Sequence, residues 1–327
     1  MHLTLARRRL IALAAALLPL MAAPTQAQAQ TYPAKPLSFI VPFAAGSATD
    51  QLARALGQSV SEQTHQAVVV DNRAGASGML AAQAAARAPA DGHTVLITTN
   101  TTHAANEHLY KKLPYDPVKD FAPVSGLGKG GQVMVVNPAS PYKSVADVLA
   151  AAKAKPGKLS FGSGSSSSRV AGELFQQMAG IELLHVPYKS NPLAITDLLG
   201  GQIDLMVTDT STGVPQIKAG KLRALGVSTA RRLAMLPEVP TISEAGVKGY
   251  DMGYWFAAYV PAGTPAPVVA RLNELLANAL KSPAAKAFFE TSGGEAFPTT
   301  PDALAKFQQD ESRKWGKVIK AAGIEPE

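Results

Sequence analysis

The sequence predicts an α/β protein of two lobes, each a mostly parallel sheet flanked by helices. Three observations carry this expectation. Apolar runs of strand length alternate with helix-length segments of 3/4 apolar spacing, the rhythm of parallel strands joined by crossover helices. That rhythm runs through one block of the chain, breaks off, and resumes in a second block. An apolar stretch, Trp255 to Gly263, then follows the second block and reads as a strand returning to the first lobe. A length of 327 residues also suits two domains better than one.

Each element has its own local reason. Leu37-Ser38-Phe39-Ile40-Val41 is a buried strand running into the small-residue turn Phe43 to Asp50. Leu52, Ala55, Leu56, Ser59 and Val60 then mark a helix that Ser47 or Thr49 can cap, with Asp50 in its first turn. Val68 to Val70 is a strand, Gly75 to Gly78 a turn, and Met79 to Ala88 an alanine-rich helix. Strand Thr94 to Ile97 ends in a polar turn, Thr98 to Thr102. In the second block Val133 to Val136 is a strand, Ser144 caps the helix Val145 to Lys153, and Leu159 to Phe161 is a strand. It ends in the serine-rich turn Gly162 to Ser168, before a helix from Arg169 to Met178. Leu183 to Val186, Asp204 to Val207 and Leu222 to Val227 are further strands, with a helix from Leu193 to Leu199 between the first two. The last helices are Ala266 to Leu280 and Pro301 to Ala321. The first lobe is therefore discontinuous, residues 30–127 and 253–327. The second is residues 128–252, with crossing segments near 123–132 and 248–256.

The first residues stand apart. Arg7, Arg8 and Arg9, the apolar run Ile11 to Met21, and Ala27-Gln28-Ala29 have the layout of a secretory signal peptide cleaved after residue 29. The apolar run is too short to span a bilayer of about 30 Å, and nothing later runs to 18 consecutive apolar residues. The expectation is a soluble periplasmic protein without a stable membrane anchor; the pattern does not choose between Sec and twin-arginine export. Losing the three leader arginines takes Lys+Arg from 31 to 28 against 24 acids, a formal +4. Those basic residues are scattered and not interleaved with aromatics, which argues against nucleic acid as a partner. With no cysteine, the chain has neither a disulfide nor a lipid-attachment site, so an apolar core must hold it together.

Three segments, residues 41–50, 97–103 and 161–170, share one design: an apolar strand, a small polar turn, then a helix. In open α/β sheets ligands sit beyond the carboxyl ends of strands, where the first helical amides lack internal partners and the dipole is positive. A carboxylate is the natural occupant, and phosphate is compatible.

Eight ordered segments carry a family resemblance. They are Tyr32 to Pro36 with Val41 to Asp50; Asp71 to Gly78; Ala90 to Thr94; Leu113 to Val124; Ala171-Gly172-Glu173-Leu174-Phe175; His185-Val186-Pro187-Tyr188-Lys189; Asp197 to Met206; and Leu236 to Thr241. Together they resemble the substrate-binding proteins of tripartite tricarboxylate transporters, also called Bug receptors, over essentially the whole mature chain. The resemblance implies a Venus-flytrap fold of the periplasmic binding proteins. It implies capture of a small carboxylate by a monomer without cofactor or metal, and delivery to the transporter's membrane subunits. It places one ligand carboxylate on Phe43, Ala45, Gly46, Ser47 and Thr49. Asn100 and Thr101, with Ser163, Ser165 and Ser166 of the serine-rich turn, would close on the other end, and Asp209 would point into the cleft.

The chain departs from that family's common pattern where Ala45-Gly46-Ser47 replaces Pro-Gly-Gly, where Tyr188 to Pro192 replaces a glycine-rich turn, and at Arg169, where a histidine is common. The Arg169 fork can hold a second carboxylate bidentately, which favours a dicarboxylate, aromatic ones included. A surface arginine in a first helical turn is the plainer reading. Two other functions stay open: an exported hydrolase or transferase using Ser163 to Ser168, which needs a histidine beside one of those hydroxyls, and a receptor serving a sensor kinase. Gly126 to Gly131 spells a dinucleotide fingerprint but precedes a strand rather than a helix. Ser140 to Lys143 spells a serine–lysine acylase motif without its partner motifs. His103, Glu107 and His108 lack a convincing third ligand for a metal.

Overall fold

The computed structural model describes residues 32–327, so the expected leader, residues 1–29, lies outside the described residues. Of the leading unit, Met1–Ala34, only Tyr32 to Ala34 are described; the Tyr32–Pro33 peptide is cis. Everything that follows concerns Lys35–Glu327.

The strands are β1 Leu37–Val41, β2 Val68–Asn72, β3 Thr94–Thr99, β4 Phe121–Val136, β5 Ser160–Ser163, β6 Leu184–Pro187, β7 Leu205–Asp209, β8 Arg223–Val227, β9 Gly253–Pro261 and β10 Glu295–Ala296. The helices are α1 Ala48–Thr64, α2 Met79–Ala86, α3 Asn106–Leu109, α4 Val145–Ala154, α5 Ser166–Ala179, α6 Asn191–Leu199, α7 Thr210–Lys218, α8 Ala266–Ala279, α9 Pro283–Ser292 and α10 Pro301–Ala321. Hydrogen bonding runs through the order β2-β1-β3-β9-β4-β7-β5-β6, with β8 and β10 also on β4. Pairing is parallel among β1, β2 and β3 and among β5, β6 and β7; the antiparallel pairs all involve β4 or β9. The molecule is two-lobed because β4 changes partners along its length. Phe121 to Gly131 pairs with β9, whereas Gln132 to Val136 pairs with β7 and Val133 to Val136 with β8.

The sequence suggests a short strand at Val133 to Val136; the structure extends it to 16 residues. Gly126, Gly128 and Gly130 make this possible. A Cβ at Gly126 would lie 2.5 Å from the Phe297 carbonyl, one at Gly128 would lie 2.7 Å from the Phe289 ring, and one at Gly130 would overlap the Tyr254 side chain. The fingerprint-like spelling is thus a stripe of small residues over which neighbouring elements pack against the strand.

Other departures have equally local causes. Helix α5 begins at Ser166, not Arg169, because Ser165 takes extended backbone and its Oγ accepts from the Ser168 amide at 3.2 Å. Three serines read as turn are thus its first helical turn, and Arg169 stands in the second. Helix α7 is absent from the sequence reading because Gly213 and Pro215 look like breakers, yet the Asp209 cap starts it and Pro215 sits inside it. Helix α9 also escaped it, although Ser282 caps it and Pro283 opens it, a legible start signal. After β3 the polar turn is a wide helical turn, Thr101–Ala105, leading into α3.

Packing follows the expected periodicities. Leu37, Phe39 and Val41 of β1 and Leu52, Leu56 and Val60 of α1 are fully buried, as are Val133, Val135, Met206 and Val207 of the second lobe. Burying each such side chain contributes roughly 1.5–3 kcal/mol. Helix α10 lays Leu304, Trp315 and Ile319 on the first lobe. Its Glu311 accepts from the indole nitrogens of Trp255 (3.0 Å) and Trp315 (3.3 Å), which ties the helix to β9. Among the described residues no helix is long and apolar enough to cross a membrane.

Candidate functional site

A narrow cavity opens where the lobes meet. It encloses about 350 Å³ of empty space including its mouth, and its lining comes from both lobes. Phe43, Ser47, Ala48 and Thr49 come from the β1–α1 turn, and Thr99 from the end of β3. Gly164, Ser165 and Ser167 come from the start of α5, Asn191 from the start of α6 and Asp209 from the end of β7. Tyr254 and Phe256, on one face of β9, complete it. The beginnings of α1, α5, α6 and α7 therefore point at one space.

Asp50 builds the first of these turns. Its carboxylate accepts from the Gly46 amide (2.8 Å), from Arg54 and from Asn72 Nδ2 (3.0 Å); that same Nδ2 also reaches the Phe43 carbonyl. Burial alone would raise the Asp50 pKa, but the hydrogen bonds from Arg54, Gly46 and Asn72 outweigh it and hold the carboxyl below the usual aspartate range. Gly46 has φ +81°, a left-handed conformation that explains why glycine stands there. Ser47 Oγ accepts from the Asp50 amide. The amides of Ala48 and Thr49, the first two of α1, have no protein acceptor among the described residues, and the same holds for Ser166 and Ser167 of α5.

Asp209 is a framework group. Its carboxylate accepts from the Thr212 amide (2.9 Å), Thr212 Oγ1 (2.9 Å), Ser211 Oγ (2.6 Å) and Asn191 Nδ2 (2.6 Å). Asn191 Oδ1 in turn accepts from the Gly164 amide at 2.9 Å. This chain fixes the turn before α5 against the starts of α6 and α7. Among the described residues no lysine or arginine lines the cavity. Any anion there would be held by amides, hydroxyls and helix dipoles.

The residues expected from the sequence divide accordingly. Phe43, Ser47, Thr49, Ser165 and Asp209 line the cavity; Ala45 and Gly46 shape its first turn from outside the lining. Asn100 and Thr101 are buried behind it, Asn100 Oδ1 accepting from the Trp255 amide and the Thr101 amide donating to Thr99 Oγ1. Thr99, one residue earlier, takes the lining position. Ser166 Oγ bonds Asn106 Oδ1 of the first lobe at 2.9 Å, so its hydroxyl joins the lobes. Asn191, Tyr254 and Phe256 were not foreseen. The alternation of 254 and 256 along a strand is a signal for one shared face, but nothing local says which face meets the cleft.

Arg169 lines a second cavity instead, which shares Gly164 and Ser165 with the first. Its Nη1 lies 2.6 Å from Glu327 Oε1. Ser163 is there too, with Oγ 2.7 Å from His185 Nε2, the histidine that an enzyme reading requires. That pair lacks a third member. Among the described residues no carboxylate hydrogen-bonds the His185 ring, which stacks on Phe161. Burial foremost, then the Arg169 charge, lowers its pKa to about 4, against a smaller opposing pull from Glu327. Such a ring is a weak general base, with no carboxylate hydrogen-bonded to it among the described residues to stabilise its charged form. His103, by contrast, is stacked on Tyr259 and bonded to Thr102, its pKa lowered by burial to about 3. Glu107 and His108 both meet Ser312 of α10.

Two α/β lobes enclosing a cleft of convergent helix starts define a solute-binding protein of the periplasmic type. The model of the tripartite tricarboxylate transporter family receptor matches residues 52–324, and the chain belongs to that family. It is 35% identical over 306 residues to Protein BugT of Bordetella pertussis, covering 93% of each chain. Among solved structures it is similar to R. palustris Rpa4515 with adipate, with TM-score 0.87, 36% identity, and coverage of 90% of this chain and 100% of that one. It is also similar to MatC from Rhodopseudomonas palustris with bound malate, with TM-score 0.84, 30% identity, and coverage of 88% and 100%.

Proposed function

We propose that this chain is a periplasmic receptor that captures a small carboxylate in the first cavity and hands it to the membrane subunits of a tripartite tricarboxylate transporter. The observation that carries the reading is the convergence of helix starts on a space with unpartnered amides and no basic side chain. Adipate and malate in the two similar structures support a carboxylate as the solute. Phe43, Ser47, Thr49 and Ser165 would contact it, with Thr99, Asn191 and Tyr254 added to the sequence-derived set. Ala45, Gly46 and Asp209 shape the turns, and Asn100, Thr101, Ser163 and Ser166 support from behind or beside. Residues 1–29 would be removed on export and the receptor would act as a monomer. Residues 30–127 with 253–327 and residues 128–252 would move as two bodies about β4 and β9. The solute shifts the population toward closure by binding the closed form better.

The test removes one amide without removing the helix. Ala48 is the first residue of α1, where proline is tolerated, and Ser47 has the extended backbone (φ −65°, ψ 159°) that precedes proline well. Ala48→Pro should keep the melting temperature yet weaken the bound carboxylate about tenfold, the worth of one hydrogen bond to a charged group. Calorimetry against mono-, di- and tricarboxylates reads this out. A wild-type protein showing neither heat nor a rise in melting temperature across that panel would sink the receptor reading.

A further inference from the structure

The second cavity is larger than the first, with about 880 Å³ of empty space including its mouth, and differs in chemistry. Arg169 and Lys189 line it, with Ser77, Tyr110 and the neutral His185. A carboxylate already sits in it. Glu327 is held on the first lobe by two backbone bonds, from the Lys111 amide to its carbonyl (2.8 Å) and from its own amide to the Leu109 carbonyl (2.9 Å). Its side chain reaches across to Arg169 of the second lobe. The two ends are unequal: the Arg169 side chain is 18% exposed and that of Glu327 57%. Arg169 Nε is buried with no hydrogen-bond partner, so Glu327 leaves part of the fork unused. Glu173, one turn further along α5, feels the same charge but bonds Gln176 instead.

We propose that the Arg169 cavity is the subsite for the far carboxylate of an elongated dicarboxylate, with Glu327 as its resident intramolecular occupant. The inference rests on the receptor reading above and specifies its substrate class. A dicarboxylate anchored at the amides of the first cavity passes the shared Gly164–Ser165 turn and presents its second carboxylate to Arg169. Glu327, more than half exposed, swings into water. Arg169 stays paired before and after the exchange, so no buried charge is stranded, and a ligand placed side-on also satisfies Nε. A monocarboxylate fills only the first cavity and leaves Glu327 in place.

The experiment is calorimetry with α,ω-dicarboxylates from succinate to suberate and the monocarboxylates of equal chain length, such as adipate against hexanoate. Where a monocarboxylate is too weak to titrate, its competition against the dicarboxylate gives its affinity. Arg169→Ala should weaken the best dicarboxylate about tenfold and its monocarboxylate partner less than about twofold. Glu327→Gln should tighten the dicarboxylate a few-fold and leave the monocarboxylate unchanged or slightly weaker. The double variant should match Arg169→Ala, because without Arg169 there is nothing to compete for. Equal changes for both ligand classes would mean that Arg169 and Glu327 only latch the lobes, and an unchanged dicarboxylate affinity in Arg169→Ala would remove the subsite. Either result overturns this inference and leaves the receptor reading standing. Silence of every carboxylate on the wild type would remove both.

Discussion

The two cavities meet at Gly164 and Ser165, yet they are equipped to handle an anion by opposite means. The first has no basic side chain; its donors are amides and hydroxyls that the fold has already fixed, and its one carboxylate, Asp209, is spent on holding the framework. The second has two basic side chains, Lys189 and an Arg169 already paired with Glu327. Fixed dipoles lose little on ligand binding and suit a group present in every ligand. A held charge whose resident partner, Glu327, can be exchanged suits a group present only in some. On the proposed reading, general affinity and selectivity lie on different sides of one turn.

The strongest way to break this division is at the turn itself. A Cβ at Gly164 would lie 1.9 Å from the Ser190 carbonyl carbon and 2.1 Å from the Asn191 nitrogen, both backbone atoms. Gly164→Ala should therefore abolish binding of every carboxylate and lower stability by roughly 1–3 kcal/mol, as read by calorimetry and thermal melting. Retained binding would show that the turn does not join the cavities. Asp209→Ala removes a helix cap and frees Asn191, so it should cost about 1–2 kcal/mol of stability. It should weaken mono- and dicarboxylates by the same factor, since it touches only the shared framework; a selective loss for dicarboxylates would place Asp209 with the second cavity.

The mildest probe is acid. The His185 pKa is lowered to about 4 in the folded chain, whereas an unfolded histidine titrates near 6.5. Between those values the unfolded chain binds more protons, so stability falls as pH drops from about 6.5 to about 4 and is unaffected by this group above that window. His103, lowered to about 3, adds loss of the same sign and extends it downward. His185→Gln should flatten the upper part of that decline in pH-dependent melting while leaving stability at pH 7 nearly unchanged. An equally steep decline in the variant would assign the acid sensitivity elsewhere.

Much of the architecture was legible because its signals are local. The strand at Leu37, the cap at Ser47 and the helix at Pro301 follow from spacing and from capping chemistry. Two elements were missed where a residue's average behaviour was overridden: Gly213 and Pro215 sit inside α7, and the serines before Arg169 are helical; α9 was missed although its start is legible. In the site, the β1–α1 turn was readable because small residues between a strand and a helix have few other uses. Thr99 was lost to Asn100 and Thr101 because the strand ends at Thr99 and the chain then turns helically into the interior. Ser163 and Ser166 look like ligand donors in one dimension, but both hydroxyls are occupied, by His185 and Asn106, from segments far along the chain.

The order of residues determined on its own the α/β rhythm, the Ser47 and Ser144 caps and the family, because each depends on neighbours within a few positions or on an ordered set of motifs. Only the tertiary structure decided which donors remain free. Whether a hydroxyl, an amide or the Arg169 fork is available depends on what a distant segment brings against it, and Glu327, 158 positions beyond Arg169, is the plainest case.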